Sequence, residues 1–342
     1  MKLTRIMQTV CLLTLACGML AGCNKEGGKM AGILFSASSR PDATRTAYSG
    51  EGQTSSTGSL TKERIDWVLG DLITVWSDKA LNYTTGEHWG DFSILTVVPD
   101  GTRSKATLKS VDIKSLQWGA EETYKFYARY PADGAKIDGT SMTATIPATQ
   151  QMLKDSETGA WAPDMQYAFM FASATATNTT DPVELEFIPK FTALQFEIGA
   201  GGNGEAHITS FTLTSTTTAL AGDFTVACAT GVASSTSTTK TLSMDVSNRS
   251  DANDLVIIGG GDPVTLTLFA LPTDFTNLTL TVVGTPFGTR TLKLADKNGN
   301  MIPFTGGKKY WIKGLDLPEL LMATGEDINW DVEAKGESIY WD

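Results

Sequence analysis

Val183-Glu184-Leu185-Glu186-Phe187 and, a few residues on, Leu194-Gln195-Phe196-Glu197-Ile198 set an apolar side chain against a polar one at every step. A period of two belongs to an extended chain, whose successive side chains point to opposite faces of a sheet. One face of such a strand can be buried while the other meets water, the pattern of a half-buried antiparallel strand. Outward from this pair the alternation returns in Phe211-Thr212-Leu213, Val264-Thr265-Leu266-Thr267-Leu268 and Leu278-Thr279-Leu280-Thr281-Val282, with threonine as the outward residue. The branched Cβ of threonine suits a pleated surface. Turn signals fall between the runs: Asp133-Gly134, Asp138-Gly139, Gly201-Gly202, Asn298-Gly299 and Gly306-Gly307. No long stretch carries helical spacing, and only short helices are expected, over 109–116 and 150–156. The fold class is therefore all-β.

A chain of 342 residues is long for one core and comfortable for two. The expected division is a leader over 1–22, a tether and first strand over 23–45, one β domain over 46–178, a second over 179–317, and a tail over 318–342. The weak point between the domains is Ser173–Asp181, a run of Ser, Thr, Asn and Ala that ends at Pro182 and is too polar to build a core. Ser234–Lys240 is a second Ser/Thr stretch, expected as a long hairpin loop.

The amino end has the layout of a secretory signal: Lys2 and Arg5, an apolar Val10–Leu20, then Leu20-Ala21-Gly22-Cys23. A cysteine directly after Ala-Gly resembles a bacterial lipoprotein signal, in which Cys23 is acylated and becomes the first residue of the mature chain. A plain secretory signal is the alternative. The apolar run is shorter than the roughly 20 residues of a membrane-spanning helix. Lys and Arg number 27 against 38 Asp and Glu, a net charge of −11. Loss of Lys2 and Arg5 with the leader leaves 25 against 38, or −13. Such a chain lacks the positive footprint that phosphate contacts need, so no nucleic-acid partner is expected. Cys11 and Cys17 leave with the leader and Cys23 is consumed by lipid, so only Cys228 stays and no internal disulfide is possible. Cys228 follows Phe224-Thr225-Val226-Ala227 and reads as a small buried apolar side chain.

Motifs for chemistry fail on context. Gly199-Ala200-Gly201-Gly202-Asn203-Gly204 fits a dinucleotide fingerprint literally, but His207–Leu213 after it reads as a strand, so a glycine-rich hairpin loop is expected. Asp296-Lys297-Asn298-Gly299-Asn300 opens like a calcium loop, yet Gly307 stands where the bidentate Glu belongs. The two histidines, His88 and His207, are not spaced as metal ligands, and no nucleophile elbow or carboxylate pair is evident. The sequence thus nominates no catalytic residue, metal site or cofactor. Trp89, Trp118 and Trp161 lie beside polar or small-residue stretches, where a tryptophan can stack on a sugar; the competing account is ordinary core packing.

Two segments carry the functional reading. Ile33-Leu34-Phe35-Ser36-Ala37 is a short apolar strand soon after Cys23, followed by the polar Ser39-Arg40-Pro41-Asp42-Ala43-Thr44-Arg45-Thr46. Pro41 shields Arg40 from trypsin-like cleavage, and Arg45-Thr46 has no such shield. Cutting there would remove the first strand and open a groove of unpaired backbone and apolar pockets. The tail supplies a strand of the right kind: Ile328, Trp330, Val332 and Ala334 on one face, mostly acids on the other, with Ile339 and Trp341 beyond. Strand addition to a sheet edge uses such a segment; closing its own domain's sheet is the alternative.

The chain also resembles the fimbrillin family of Bacteroidetes, the subunits of type V pili and related surface lipoproteins. The resemblance lies in Arg45-Thr46-Ala47-Tyr48, Trp67–Ser77, Pro163–Met170, Phe187–Phe196 and Phe304–Tyr310, which occur in order over nearly the whole mature chain. It implies two tandem transthyretin-like antiparallel β-sandwiches and outer-membrane attachment through lipid on Cys23. It further implies trimming after Arg45 by an arginine-specific surface protease, and polymerisation with other pilus subunits by a donated strand. Three readings compete: a non-enzymatic pilus subunit serving adhesion, a monomeric or tip-located lipoprotein adhesin for glycan or host protein, and a secreted hydrolase, for which no nucleophile, metal cluster or carboxylate pair is present.

Overall fold

The computed structural model describes residues 32–39, 67–82, 92–101, 105–111, 116–132, 137–154, 161–199, 204–246, 255–259, 263–294 and 302–316. The first strands are β1 (Phe35–Ser39), β2 (Leu72–Ser77), β3 (Leu81–Asn82), β4 (Phe92–Pro99), β5 (Lys105–Ser110), β6 (Leu116–Gln117) and β7 (Tyr124–Tyr130). Then come β8 (Ser141–Ile146), β9 (Thr149–Lys154), β10 (Trp161–Pro163), β11 (Met170–Ala176), β12 (Val183–Pro189) and β13 (Thr192–Gly199). The rest are β14 (Glu205–Ser215), β15 (Gly222–Ala227), β16 (Ala233–Ser234), β17 (Thr241–Asp245), β18 (Leu255–Ile258), β19 (Val264–Ala270), β20 (Leu278–Thr285), β21 (Gly288–Lys293) and β22 (Lys309–Asp316). A single 3₁₀ turn, Met165–Tyr167, is the one helical element among the described residues.

The all-β expectation holds, and where the two expected short helices fall on described residues the chain is largely strand. The segment 105–110 is β5 and 149–154 is β9. Alternation prevails in both: Ala106 and Leu108 are buried between exposed neighbours, and Gln150 and Met152 point inward from β9.

Seven strands close a barrel in the order β1-β12-β11-β7-β2-β4-β5, with β5 returning to β1. Its core holds Phe35, Trp67, Val75, Tyr124, Phe126 and Phe187 among others. The second body is built of three sheets: β10-β9-β17-β14-β20-β21 with β18 beside β14, β19-β13-β22, and β16-β15-β8. Phe196 meets Phe211 edge-on at 5.1 Å in its core, across two of these sheets.

The two cores do not divide the chain at 178/179. β8, from the first half of the chain, pairs with β15, and β9 pairs with β17. β12, which follows the expected boundary, pairs with β11 and β1 in the barrel. The chain therefore crosses between the bodies after β7, before β11 and after β12. The physical reason lies in β7, where Phe126, Ala128 and Tyr130 enter the barrel core while Tyr127 and Arg129 are buried on the other side. A strand covered on both faces gives no sign, in alternation alone, of which layer sits on which side.

Among the described residues three pairings are parallel, against the antiparallel expectation: β1 with β12, β9 with β17, and β13 with β22. In each pair the partners are far apart in sequence, as a parallel pair requires.

Candidate functional site

The site is the seat of β1. Inside the closed barrel β1 is hydrogen-bonded on both edges. It runs parallel to β12, with Phe35 opposite Val183 and Ser39 opposite Phe187. It runs antiparallel to β5, with Phe35 opposite Leu108 and Ser38 opposite Lys105. The Val183 N–H donates to the Leu34 carbonyl at 2.8 Å, and the Ile33 N–H donates to the Leu116 carbonyl at 2.9 Å. Ile33, Phe35 and Ala37 face inward and are buried, while Leu34 is 58% exposed. Phe35 meets Phe126 edge-on at 5.3 Å between ring centroids. Burial of Ile33 and Phe35 contributes roughly 1.5–3 kcal/mol each.

This arrangement makes β1 the only strand through which the barrel is closed between β5 and β12. Without it, two sheet edges and three apolar pockets would be open to water, a strong template for another strand. Outward from the slot stand Lys105 and Thr107 on β5, and Glu184 and Glu186 on β12.

The slot lies on the wall of the barrel remote from the second body. β7, which carries Tyr127 and Arg129 onto that body, is three strands from β1 in one direction and four in the other. Trp76 stacks on Tyr127 at 5.7 Å in this shared wall. Arg129 is fully buried. Its Nη1 donates to the Thr143 carbonyl at 2.6 Å, its Nε donates to the Pro131 carbonyl at 3.3 Å, and its guanidinium lies 5.3 Å over the Phe169 ring. In the second body, β13 begins just after the last crossing at Lys190. β22 runs parallel to it, from Lys309 beside Ala193 to Asp316 beside Gly199. Six residues at about 3.3 Å each put Asp316 about 20 Å along β13 from Ala193.

Of the residues singled out in the sequence, Cys23, Arg45, Thr46, Ile328, Trp330, Val332, Ala334, Ile339 and Trp341 lie outside the described residues. Trp118 is buried in the barrel core, its Nε1 donating to the Thr179 carbonyl at 3.0 Å, so it presents no face to a sugar. Cys228 is buried as expected, and burial, with the nearby Asp138 charge as a smaller cause, pushes its thiol up to about 11. Such a thiol is not a nucleophile at neutral pH. The strand after the glycine-rich Gly199–Gly204 segment is β14, so no helix N-terminus is there to hold a phosphate. β13 and β14, the strands on either side of it, lie in different sheets and do not pair as the expected hairpin. No metal-binding cluster of His, Cys, Asp and Glu occurs among the described residues, nor any helix long and apolar enough to cross a membrane. The shared wall of Trp76, Tyr127 and Arg129 was not legible as a feature beforehand; its one signal was a seven-residue strand, Tyr124–Tyr130, that carries four aromatics.

A family model described as fimbrillin-like matches residues 60–315, and the chain belongs to that family. Among solved structures, a protein of Bacteroides ovatus named a "putative cell adhesion protein" is 18% identical, with 83% of this chain and 91% of that chain covered and a TM-score of 0.50. A protein of Bacteroides uniformis with the same name is 16% identical over 82% of this chain and 91% of that chain, with a TM-score of 0.47. A fimbrial assembly protein of Parabacteroides distasonis is 12% identical over 84% and 92%, with a TM-score of 0.37. At these identities the likeness is one of fold. No curated protein sequence matches the chain.

Proposed function

We propose that this protein is a structural, non-enzymatic subunit of a cell-surface pilus that serves adhesion. It is exported as a lipoprotein held at the outer membrane through Cys23. It is then trimmed after Arg45, and it polymerises when the tail of one copy takes the seat of β1 in the next. The observation that carries this reading is the position of β1: an inner strand whose removal opens two edges at once, reached through a segment that contains Arg45-Thr46.

Placement favours a neighbour over the same chain as the source of the new strand. The slot lies on the barrel wall away from the second body, whereas β22 leads the chain away from the crossing at Lys190. Twelve residues separate Asp316 from Ile328, a reach of about 40 Å when extended. Head-to-tail contacts of this kind form open filaments.

The tail also fits the slot in spacing. Ile328, Trp330 and Val332 repeat the interval of Ile33, Phe35 and Ala37, with Trp330 entering the pocket against Phe126. Asp331 then stands between Thr107 and Glu184, and Glu333 between Lys105 and Glu186.

The test is assembly of purified lipid-free protein after treatment with an arginine-specific protease. Ladders of denaturant-resistant oligomers are expected, each subunit starting at Thr46. Arg45→Ala should remain untrimmed and monomeric. Trp330→Asp should be trimmed normally yet give no ladder. Ladders that persist with Trp330→Asp, or after deletion of Glu326–Asp342, overturn strand exchange by this tail.

A further inference from the structure

The turn after Trp67 holds aliphatic side chains out into water and is built to keep them there. Trp67 is fully buried, edge-on to Tyr130 at 5.8 Å and to Phe187 at 5.2 Å. The Asp71 carboxylate accepts from the Val68 N–H at 2.9 Å and from the Tyr130 hydroxyl at 3.3 Å, and the Asp71 N–H donates to the Val68 carbonyl at 3.1 Å. The Gly70 N–H donates to the Val97 carbonyl at 3.2 Å, with Gly70 at φ +95°. On this braced turn Leu69 is 73% exposed, and Val68 and Leu72 are each 39% exposed. Turns usually expose polar residues; a fixed aliphatic knob has the character of a contact site.

Its place in the fold suggests the occupant. Phe187, the ring neighbour of Trp67, is also the residue opposite Ser39, where β1 leaves the barrel. The knob, at the start of β2, therefore lies at the same end of the barrel as that exit, three strands from β1 by way of β5 and β4. A strand seated in the slot with the polarity of β1 must emerge at this end.

We propose that Val68, Leu69 and Leu72 form the docking site for Ile339-Tyr340-Trp341 of a second copy, whose tail occupies the slot. This rests on the strand-exchange reading above. With Val332 in the place of Ala37, Ala334 takes the place of Ser39. Five residues then lead to Ile339, a reach of about 16 Å. Gly336 within that span permits a turn. Ile339, Tyr340 and Trp341 are the apolar side chains that follow Gly336. Aromatic residues bring large apolar area at low conformational cost, and an aliphatic knob is a suitable counterpart.

The experiment uses the full-length lipid-free chain, trimmed with an arginine-specific protease, and measures how fast preformed ladders dissociate in a fixed denaturant concentration. Leu69→Ser and Trp341→Ser should each still form ladders that dissociate about tenfold faster. The double variant should be no faster than either single one, because both changes remove the same contact. Unaltered melting of the untrimmed Leu69→Ser chain confirms that its fold is intact. As a second readout, Leu69→Cys paired with Trp341→Cys should join neighbouring subunits by a disulfide, whereas Thr281→Cys paired with Trp341→Cys should not. Wild-type dissociation rates in Leu69→Ser, effects that multiply in the double variant, or no disulfide at position 69 overturn the docking site and leave strand exchange standing. Absence of ladders from the wild-type chain overturns both.

Discussion

Phe35 stands edge-on to Phe126, their ring centroids 5.3 Å apart, in a barrel that closes only through the strand Phe35 belongs to. The contact couples a removable segment to the centre of the barrel core.

Phe35→Ala should therefore be felt before trimming and not after it. In the untrimmed chain it removes a buried ring and should cost about 3–4 kcal/mol, measured by denaturant unfolding. In the trimmed polymer residue 35 is gone, so ladder stability should equal that of wild type. A lowered ladder stability would mean that the first strand stays in the assembled subunit.

Arg129 ties the bodies through the carbonyls of Thr143 and Pro131 and the ring of Phe169. Arg129→Leu should lower unfolding stability by about 2–4 kcal/mol, since buried hydrogen-bonded acceptors lose their donor. Arg129→Lys should not restore it, because a single ammonium cannot serve two carbonyls and lie flat over a ring. Denaturation midpoints of the two variants check this, and recovery in the lysine variant would refute it.

Gly139 has φ +79°, and a Cβ there would come within 2.2 Å of the Trp76 ring, which is itself stacked on Tyr127. The ring lies in the packed wall between the bodies and has little room to move. Gly139→Ala should lower the melting temperature and cost at least about 1–3 kcal/mol.

Much of this architecture was legible in sequence, and the gaps have physical causes. β12 and β20 bury alternate residues, as Val183–Phe187 and Leu278–Val282 predict. β13 shows the same alternation in its sequence, yet Gln195 is buried with its apolar neighbours because sheets cover both faces. The division of the chain was hidden for the same reason: Trp76, Tyr127 and Phe171 point out of the barrel but into the second core. The buried Ile33, Phe35 and Ala37 were legible as a strand, and their central place in a closed barrel was not, since pairing partners 67 to 148 residues away leave no local mark.

Alkaline pH should destabilise the fold through Cys228. Its thiol titrates near 11 in the folded chain against an ordinary value of 9.0, chiefly because of burial. The unfolded chain thus releases this proton first. Stability is full below about pH 9 and is lost as pH rises from there through 11. Burial also raises the phenols of Tyr127 and Tyr130, which adds to the alkaline loss with the same sign. Cys228→Ala should flatten, not abolish, the fall in stability between pH 9 and 11. An unchanged slope would mean that the thiol is more accessible than its burial implies, which alkylation at pH 8 would detect independently.

Gln150 offers a pH switch that the natural chain lacks. Its buried side-chain amide mimics a strand partner: Nε2 donates to the Phe269 carbonyl at 2.6 Å, and Oε1 accepts from the Phe269 N–H at 2.8 Å. In Gln150→Glu only a protonated carboxyl can reproduce both bonds. An ionised one would set a charge against the Phe269 carbonyl in a dry site, so its folded pKa must lie well above the ordinary value of about 4.3. A carboxyl with a raised folded pKa loses stability as pH rises from the unfolded pKa through the folded one. Gln150→Glu should therefore match wild type near pH 4 and be less stable by about 2–4 kcal/mol at pH 7. Gln150→Leu should be destabilised equally at both pH values. Urea unfolding of the three proteins at pH 4 and 7 separates these outcomes, and a Gln150→Glu protein with no pH-dependent loss beyond wild type would show that the amide's pairing with Phe269 is not needed to hold β9 to β19.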